Sequence, residues 1–487
     1  MAISFDNIPA SLRTPGAYIE FNNELAGAVN VMHKMVAFGQ RLISGTHPAG
    51  IPIRVTDPSQ AIMLFGRGSM LALTLTAALK ANPNTELWAI ALDGDFLTAN
   101  AATATITVTS APTASGTIAL YLGGKRLTVG VALGDDQFTI AANINSAINA
   151  DLDLPVNATV TTDAVTITAR HKCEVFNGYD IRTNFYQGEE LPAGLNLTIT
   201  PMSGGTGNPD ISTAIDALGD EWFNWIINPY TDVANVVALE TELDSRWGPM
   251  RQIGCRVFSA FSGTHSTAGT YGSARNNPHM SCMAINTSPT PVYEVAAINA
   301  AVAAFSLSID PARPLQTLEL TGMKAPAVED QWTRQERNLL LYDGMSTFTV
   351  DRDGTCRIER QITMYQTNDA SLPDASYLDI CTPETLERIR YEQRLLQAQK
   401  YPRHKLADDG TNFAAGQAII TPKIWRGELL ALYRKMEEKG WVEDYATYDS
   451  QLVVERDVDD RNRLNWRDTP NLVNQARVFA GKQQFIV

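Results

Sequence analysis

Apolar and polar positions change rhythm several times along this chain, and each change marks an element. Between residues 31 and 97 the rhythm is that of strands and helices in alternation. Met35 to Phe38 is a short, wholly apolar run, read as a strand. Asp57-Pro58-Ser59 supplies a helix start. The aspartate accepts from the first free amides, and proline occupies a position where no N–H is needed. Ile62, Met63 and Phe65 are expected on the apolar side of that helix. An alanine-rich helix should follow to about Lys80, and Asn82-Pro83-Asn84 then turns the chain into a strand from Leu87 to Leu92.

Near Thr98 the rhythm becomes period two. Thr105 to Val108, Ile118 to Tyr121, Val165 to Thr168 and Leu195 to Ile199 alternate as strands between polar turns. One helix is expected near Ala141 to Ala150, and Ser203 to Pro209 has the composition of an exit linker. After Asp210 the helical period returns. Thr290-Pro291 should open a helix with Val295, Ile298, Val302 and Phe305 on one face, and Glu329 to Tyr342 should form another. Phe348 to Val350 and Cys356 to Thr363 flank Asp353-Gly354, a hairpin signal. Thr382-Pro383 and Thr421-Pro422 mark two more helix starts. The first of these helices should stop near Lys400, before Pro402. The second should turn Trp425, Leu429, Leu432 and Met436 to a core and end at Gly440.

The two ends differ from everything between them. Ile3-Ser4-Phe5 and Tyr18-Ile19-Glu20-Phe21 alternate around Pro9 and Pro15-Gly16, and the closing residues from Leu472 to Val487 are strand-like. The pattern gives an α/β (α+β) chain in five parts: an extended arm (1–25), the first part of a discontinuous core domain (26–97), an inserted mostly-β domain (98–209), the second part of the core (210–469), and a second extended arm (470–487). Alone, such arms expose unpaired amides and apolar side chains, so they are expected to pair with a neighbour's sheet.

At 487 residues, the chain exceeds the roughly 250–300 that one core supports. A net charge of −14 argues against a nucleic-acid partner. The charge is uneven: residues 210–383 carry 11 basic and 21 acidic side chains, residues 384–487 carry 17 and 16. Segments so different can complement one another between subunits. Within the second, Arg456, Arg461, Arg463 and Arg467 alternate with Asp457, Asp459, Asp460 and Asp468, which makes these arginines candidates for contacts outside the subunit. No run reaches the roughly 20 apolar residues of a membrane span. Met1 to Ala10 lacks the basic-then-apolar order of a signal peptide, so synthesis and assembly in a cytoplasm are expected.

The usual chemical motifs are missing or broken. Cys173, Cys255, Cys282, Cys356 and Cys381 lie far apart without a CxxC pair, which suggests neither a zinc site nor a disulfide framework. Gly123-Gly124-Lys125-Arg126 lacks the first glycine and the hydroxyl residue of a phosphate loop. Gly66-Arg67-Gly68-Ser69-Met70-Leu71 lacks the third glycine of a dinucleotide fingerprint, and no G-x-S-x-G elbow occurs. His265 and His279 do not have the spacing of a zinc helix. Asp351 to Gly354 would need a carboxylate where Ile362 stands to be a calcium loop, and Asp93-Gly94-Asp95 reads as a loop. No catalytic, cofactor-binding or metal-ligating residue is expected, and no cofactor.

Three stretches resemble the tail sheath proteins of Mu-like contractile-tailed phages. The first is Ile8-Pro9 with Arg13 through Phe21. The second is residues 329–410, with Trp332, Glu336-Arg337-Asn338, Gly344, Val350 to Gly354, Ile362 to Gln366, Ser376 to Asp379 and Lys405 to Gly410. The third is Asn462 to Asn465 with Asn471 to Gln475. The insert 98–209 carries no such resemblance. The resemblance implies a structural subunit and not an enzyme: a helical homopolymer of stacked rings around a tail tube, bounded by baseplate and tail terminator proteins. It implies contraction without nucleotide to drive the tube through the host envelope, residence in the virion tail, and no membrane insertion of the sheath itself. Terminal arms of such subunits add strands to neighbours' sheets. Ile3, Phe5, Tyr18, Ile19, Phe21, Leu472, Val473, Phe479, Phe485 and Ile486 then become inter-subunit connectors, and the four arginines become lattice or tube contacts. The alternative is a virion surface protein whose β-rich insert binds a host receptor or glycan through Tyr121, Phe138, Phe176, Tyr179, Phe185 or Tyr186.

Overall fold

The computed structural model describes residues 33–94, 98–414 and 416–486, and its elements all lie in the compact unit Lys34–Val487. The first stretch gives β1 (Lys34–Gln40), β2 (Ile53–Val55), α1 (Pro58–Phe65), α2 (Met70–Ala81) and β3 (Glu86–Leu92). Asp57 caps α1 by accepting from Gln60 N, with Pro58 in the first turn, and Ser69 caps α2 through Ala72 N. The buried face of α1 is Ala61, Leu64 and Phe65, and Met63 is exposed. Of the expected face, Phe65 is buried and Ile62 packs against the core, and Met63 alone turns outward.

The insert forms β4 (Ala101–Ser110), β5 (Gly116–Leu122), β6 (Lys125–Val131), α3 (Gln137–Ala150), β7 (Val156–Thr161), β8 (Ala164–Lys172), β9 (Ile181–Thr183) and β10 (Asn196–Ser203). These make one sheet in the order β10-β4-β8-β7 and another in the order β6-β5-β9. The chain then returns to the core through α4 (Ser212–Leu218), β11 (Trp225–Ile227), α5 (Val233–Trp247), β12 (Arg256–Ser262), α6 (His265–Ser273), β13 (Met280–Asn286) and α7 (Val292–Ile309).

The central sheet runs β13-β12-β11-β1-β3-β2, parallel except for β2 against β3. Alternation along β1 sends Met35 and Ala37 into one core and Val36 and Phe38 into the other, as a parallel sheet covered on both faces requires. The first core holds α1, α2 and α7. Helix α7 is apolar on nearly every side and, at 18 residues, is long and apolar enough to cross a membrane. Eleven of its residues are buried inside the protein, which identifies a core helix; Phe305, on its expected apolar face, is exposed.

The second core contains Ile90, Ile226 and Val257 of the sheet with α4, α5 and α6, and continues without a break into Ile106, Val108, Ile118, Ile144 and Ile167 of the insert. Polar contacts close the same seam. His171 Nε2 accepts from Met70 N at 2.9 Å, so an insert side chain satisfies the first turn of α2. Arg67 pairs with Asp153 at 2.6 Å, and Lys324 Nζ donates to Tyr186 Oη at 2.9 Å. The insert has its own sheets but shares its core.

Beyond α7 come α8 (Arg334–Tyr342), β14 (Thr347–Val350) and β15 (Cys356–Arg360). Helix α8 begins at a capping box of Thr333 and Glu336, later than Glu329, because that box fixes the first turn. Helix α9 (Cys381–Lys400) takes Thr382 and Pro383 inside its first turn, with no side-chain cap. The remaining elements are β16 (Lys405–Leu406), β17 (Ile419–Ile420), α10 (Pro422–Glu438), β18 (Val442–Glu443), α11 (Tyr445–Gln451), β19 (Val453–Arg456), β20 (Leu464–Arg467) and β21 (Asn471–Leu472). They surround a third core of Ile389, Trp425, Leu429, Tyr433, Met436 and Tyr448, separate from the other two. Helix α9 spans the gap: Cys381 belongs to the first core and Ile389 to the third.

Candidate assembly surfaces

Helix α9 meets the central sheet through buried charge. Arg256, 1% exposed, donates to Pro383 O at 2.6 Å and lies 3.6 Å from Glu384 Oε1. Trp225 Nε1 donates to the same oxygen at 3.1 Å. Arg390 pairs with Glu387 and donates to Trp247 O at 2.6 Å. Arg256 and Arg390 both lie against the Trp247 ring, 5.0 and 4.4 Å from its centroid. Burial pushes the Glu384 carboxyl up to about 7, against the pull of Arg256.

The third core carries a two-stranded ribbon. Val453 pairs with Arg467, Val454 with Trp466, Glu455 with Asn465 and Arg456 with Leu464. Val454 and Leu464 pack on the core, and Trp466 meets Trp425 edge-on at 5.7 Å. Among the described residues, neither β19 nor β20 bonds to any other strand. Both outer edges are open, an arrangement that is marginal for an isolated hairpin and a template for an added strand.

The four arginines lie on this ribbon or its turn. Arg456 and Arg461 share Asp408 at 3.1 and 2.8 Å, and Arg463 lies 4.0 Å from Asp457. These three therefore have partners in their own chain, which sequence could not reveal for Asp408, some fifty positions away. Arg467 has no ion pair among the described residues and lies on the exposed face beside Val453.

The closing segment divides in two. Leu472 pairs with Val442 and packs on the third core, and Val473 N donates to Trp441 O at 3.1 Å. Leu472 and Val473, expected in the arm from 470, therefore make contacts within their own chain. Val478, Phe479, Phe485 and Ile486 are 85–100% exposed. Ile3, Phe5, Tyr18, Ile19 and Phe21 lie outside the described residues.

The remaining candidates are structural. Gly66 and Gly68 take positive φ at the entry to α2, and a side chain at Gly68 would collide with Leu154 O at 2.6 Å. Asp351 pairs with Arg357 across the hairpin. His265 bonds Glu336 O, and His279 is buried against Trp247. Tyr121, Phe176 and Tyr179 are buried, which leaves Phe138 and Tyr186 as the exposed large aromatics of the insert. All five thiols are buried and free. Among the described residues, no cluster of His, Cys, Asp and Glu has the makings of a metal site.

Comparison with known proteins decides the family. The chain is 44% identical over 489 residues to the Mu-like prophage FluMu tail sheath protein of Haemophilus influenzae, with all of both chains covered. It belongs to the phage tail sheath family. The family model for the phage tail sheath protein central domain matches residues 204–364, and that for the phage tail sheath C-terminal domain matches residues 373–486. The two matches part just before α9, and the second encloses the third core. A chain in the anti-feeding prophage baseplate in its contracted state shares the fold, with a TM-score of 0.50, 10% identity and 98% of each chain covered. The sheath tail protein of Desulfitobacterium hafniense aligns at a TM-score of 0.48 and 14% identity, covering 94% of this chain and 100% of that one. This sheath chain is thus a structural component of a contractile phage tail, with the α/β sheath fold.

Proposed function

We propose that this sheath subunit polymerises into stacked rings around a tail tube, and that the cylinder contracts without nucleotide to drive the tube through the host envelope. Baseplate, tube and terminator proteins are its partners. The observation that carries the reading is the coexistence of an acceptor and a donor in one chain. The acceptor is the ribbon β19–β20, open at both edges. The donor is the exposed segment 478–486, with Phe479, Phe485 and Ile486.

The energetics support a lattice and not a dimer. A strand of this length makes about four to six backbone bonds at a net 0.5–1.5 kcal/mol each. Its three large side chains add about 1.5–3 kcal/mol apiece when buried. Ordering the segment costs about 1–2 kcal/mol per residue, a total of the same size. One joint is marginal, and a ring that closes many joints together is stable. The test is removal of 478–487. The truncated chain should remain folded with an unchanged melting curve, and electron microscopy should show no long cylinders. Full-length cylinders from the truncated chain would refute the donor role.

A further inference from the structure

The arm does not leave the body freely. Gln475 Nε2 donates to Ala312 O at 3.3 Å. Arg477 then reaches back to the central domain, with Nη1 donating to Gln316 Oε1 at 3.2 Å and Nη2 to Asp379 Oδ1 at 2.9 Å. Asp379 also receives Arg360 of β15, from Nη2 to Oδ2 at 2.9 Å and from Nε to Oδ1 at 3.1 Å. One carboxylate therefore holds two guanidiniums from distant parts of the chain, in the strong charge-assisted geometry. The Arg477 side chain is 12% exposed and that of Asp379 19%, whereas the next residue, Val478, is 85% exposed. The change from held to free takes a single residue.

We propose that Asp379 is the positioning residue of the arm: by holding Arg477 against Arg360, it fixes the point from which residues 478–487 reach a second copy of the chain. The proposal rests on the strand-donor reading above. Its physical basis is reach. Ten extended residues span at most about 35 Å, and effective concentration falls roughly as the −3/2 power of tether length. Releasing Arg477 moves the root back to Gln475, held on Ala312 O. The tether lengthens by about a fifth, and local concentration falls about 1.3-fold per joint from length alone. Loss of direction adds to this, and the effect multiplies over the joints of a ring.

Two measurements on the full chain test the proposal. Dilute subunit is treated with limiting trypsin, and the released C-terminal peptides are weighed. Wild type should be cut after exposed Lys482 and not after Arg477. In Asp379→Asn, which keeps the shape and loses the charge, cutting after Arg477 should rise to the rate at Lys482. The threshold concentration for cylinder formation should rise several-fold in the same variant and in Arg477→Gln, which leaves the Asp379–Arg360 pair intact and guards against a folding defect in the first. Protection of Arg477 unchanged in Asp379→Asn would overturn the clamp. Cutting with an unchanged assembly threshold in both variants would overturn the positioning role. A wild-type chain whose cylinders form equally well without 478–487 would remove the strand-donor reading and the proposal with it, while the trypsin result still reported on the clamp.

Discussion

Replacing His171 by Phe probes the seam between insert and core. The imidazole is 4% exposed, stacks on Phe176 at 6.0 Å and accepts from Met70 N. Phenylalanine retains the stacking and removes the acceptor, leaving a buried helix-terminal N–H unsatisfied at a cost of about 1–3 kcal/mol. The effect depends on pH. Burial, with Arg170 adding to it, depresses the His171 pKa to about 3, against about 6.5 in the unfolded chain. Between those values the unfolded chain binds a proton that the folded chain refuses, so wild-type stability falls as pH drops through this window, by about 1.4 kcal/mol per unit. By pH 5 the loss is about 2 kcal/mol, and the variant does not share it. Wild type should therefore lead by about 1–3 kcal/mol at pH 7.5, and the gap should shrink to within about 1 kcal/mol of zero at pH 5. Urea unfolding of dilute subunit at both pH values, followed by tryptophan fluorescence, measures the gap. A gap that is the same at both values would show that His171 is not the buried neutral acceptor described.

Three further outcomes are expected. Glu384→Gln removes a carboxyl held up at about 7. Because the folded chain keeps that proton longer than the unfolded one, wild type loses stability as pH rises from about 4.5 to 7, and the variant's urea midpoint should lack this decline. Thr333→Ala breaks the capping box of α8 and should lower stability by about 1 kcal/mol, with no change in assembly seen by microscopy. Arg467→Glu should raise the threshold for cylinder formation at low salt and have little effect at high salt, since exposed pairs are worth about 0–1 kcal/mol and are screened; an effect independent of salt would assign Arg467 to packing.

Local chemistry made much of the fold legible. Asp57 and Thr421 announce helices because an N-cap is read within four residues. Thr333 and Glu336 carry the same kind of signal, the spacing of a capping box, and would have placed the start of α8. Strand β6 is harder to see, because Lys125-Arg126 dilutes its alternation, whereas Val156 to Thr161 alternates throughout and carries a legible signal for β7. The shared core of insert and body was not legible at all. Alternation shows that Ile106 and Ile167 face inward; it does not show which other segment they meet. The candidate site divides along the same line. Exposed Phe479, Phe485 and Ile486 are apolar residues outside any helical pattern, and that much is readable. The pairing of Leu472 with Val442 and of Arg456 and Arg461 with Asp408 is tertiary and leaves no mark at sequence range.

The separateness of the third core has a mechanical meaning. The ribbon proposed as acceptor is built on that core, whereas the arm proposed as donor is held through Arg477 on Asp379, beside the first core. In a lattice joined by strand addition, tension that enters a subunit at the ribbon leaves it from the other module. Two routes carry it: α9, whose first turns are seated by Arg256, Glu384, Glu387, Arg390 and the ring of Trp247, and the shorter return path from β21 to Arg477. The joint between the two modules is thus polar at α9, whereas each module is held by an apolar core of its own. In a cylinder joined in this way, the angle between the two modules would be the compliant coordinate.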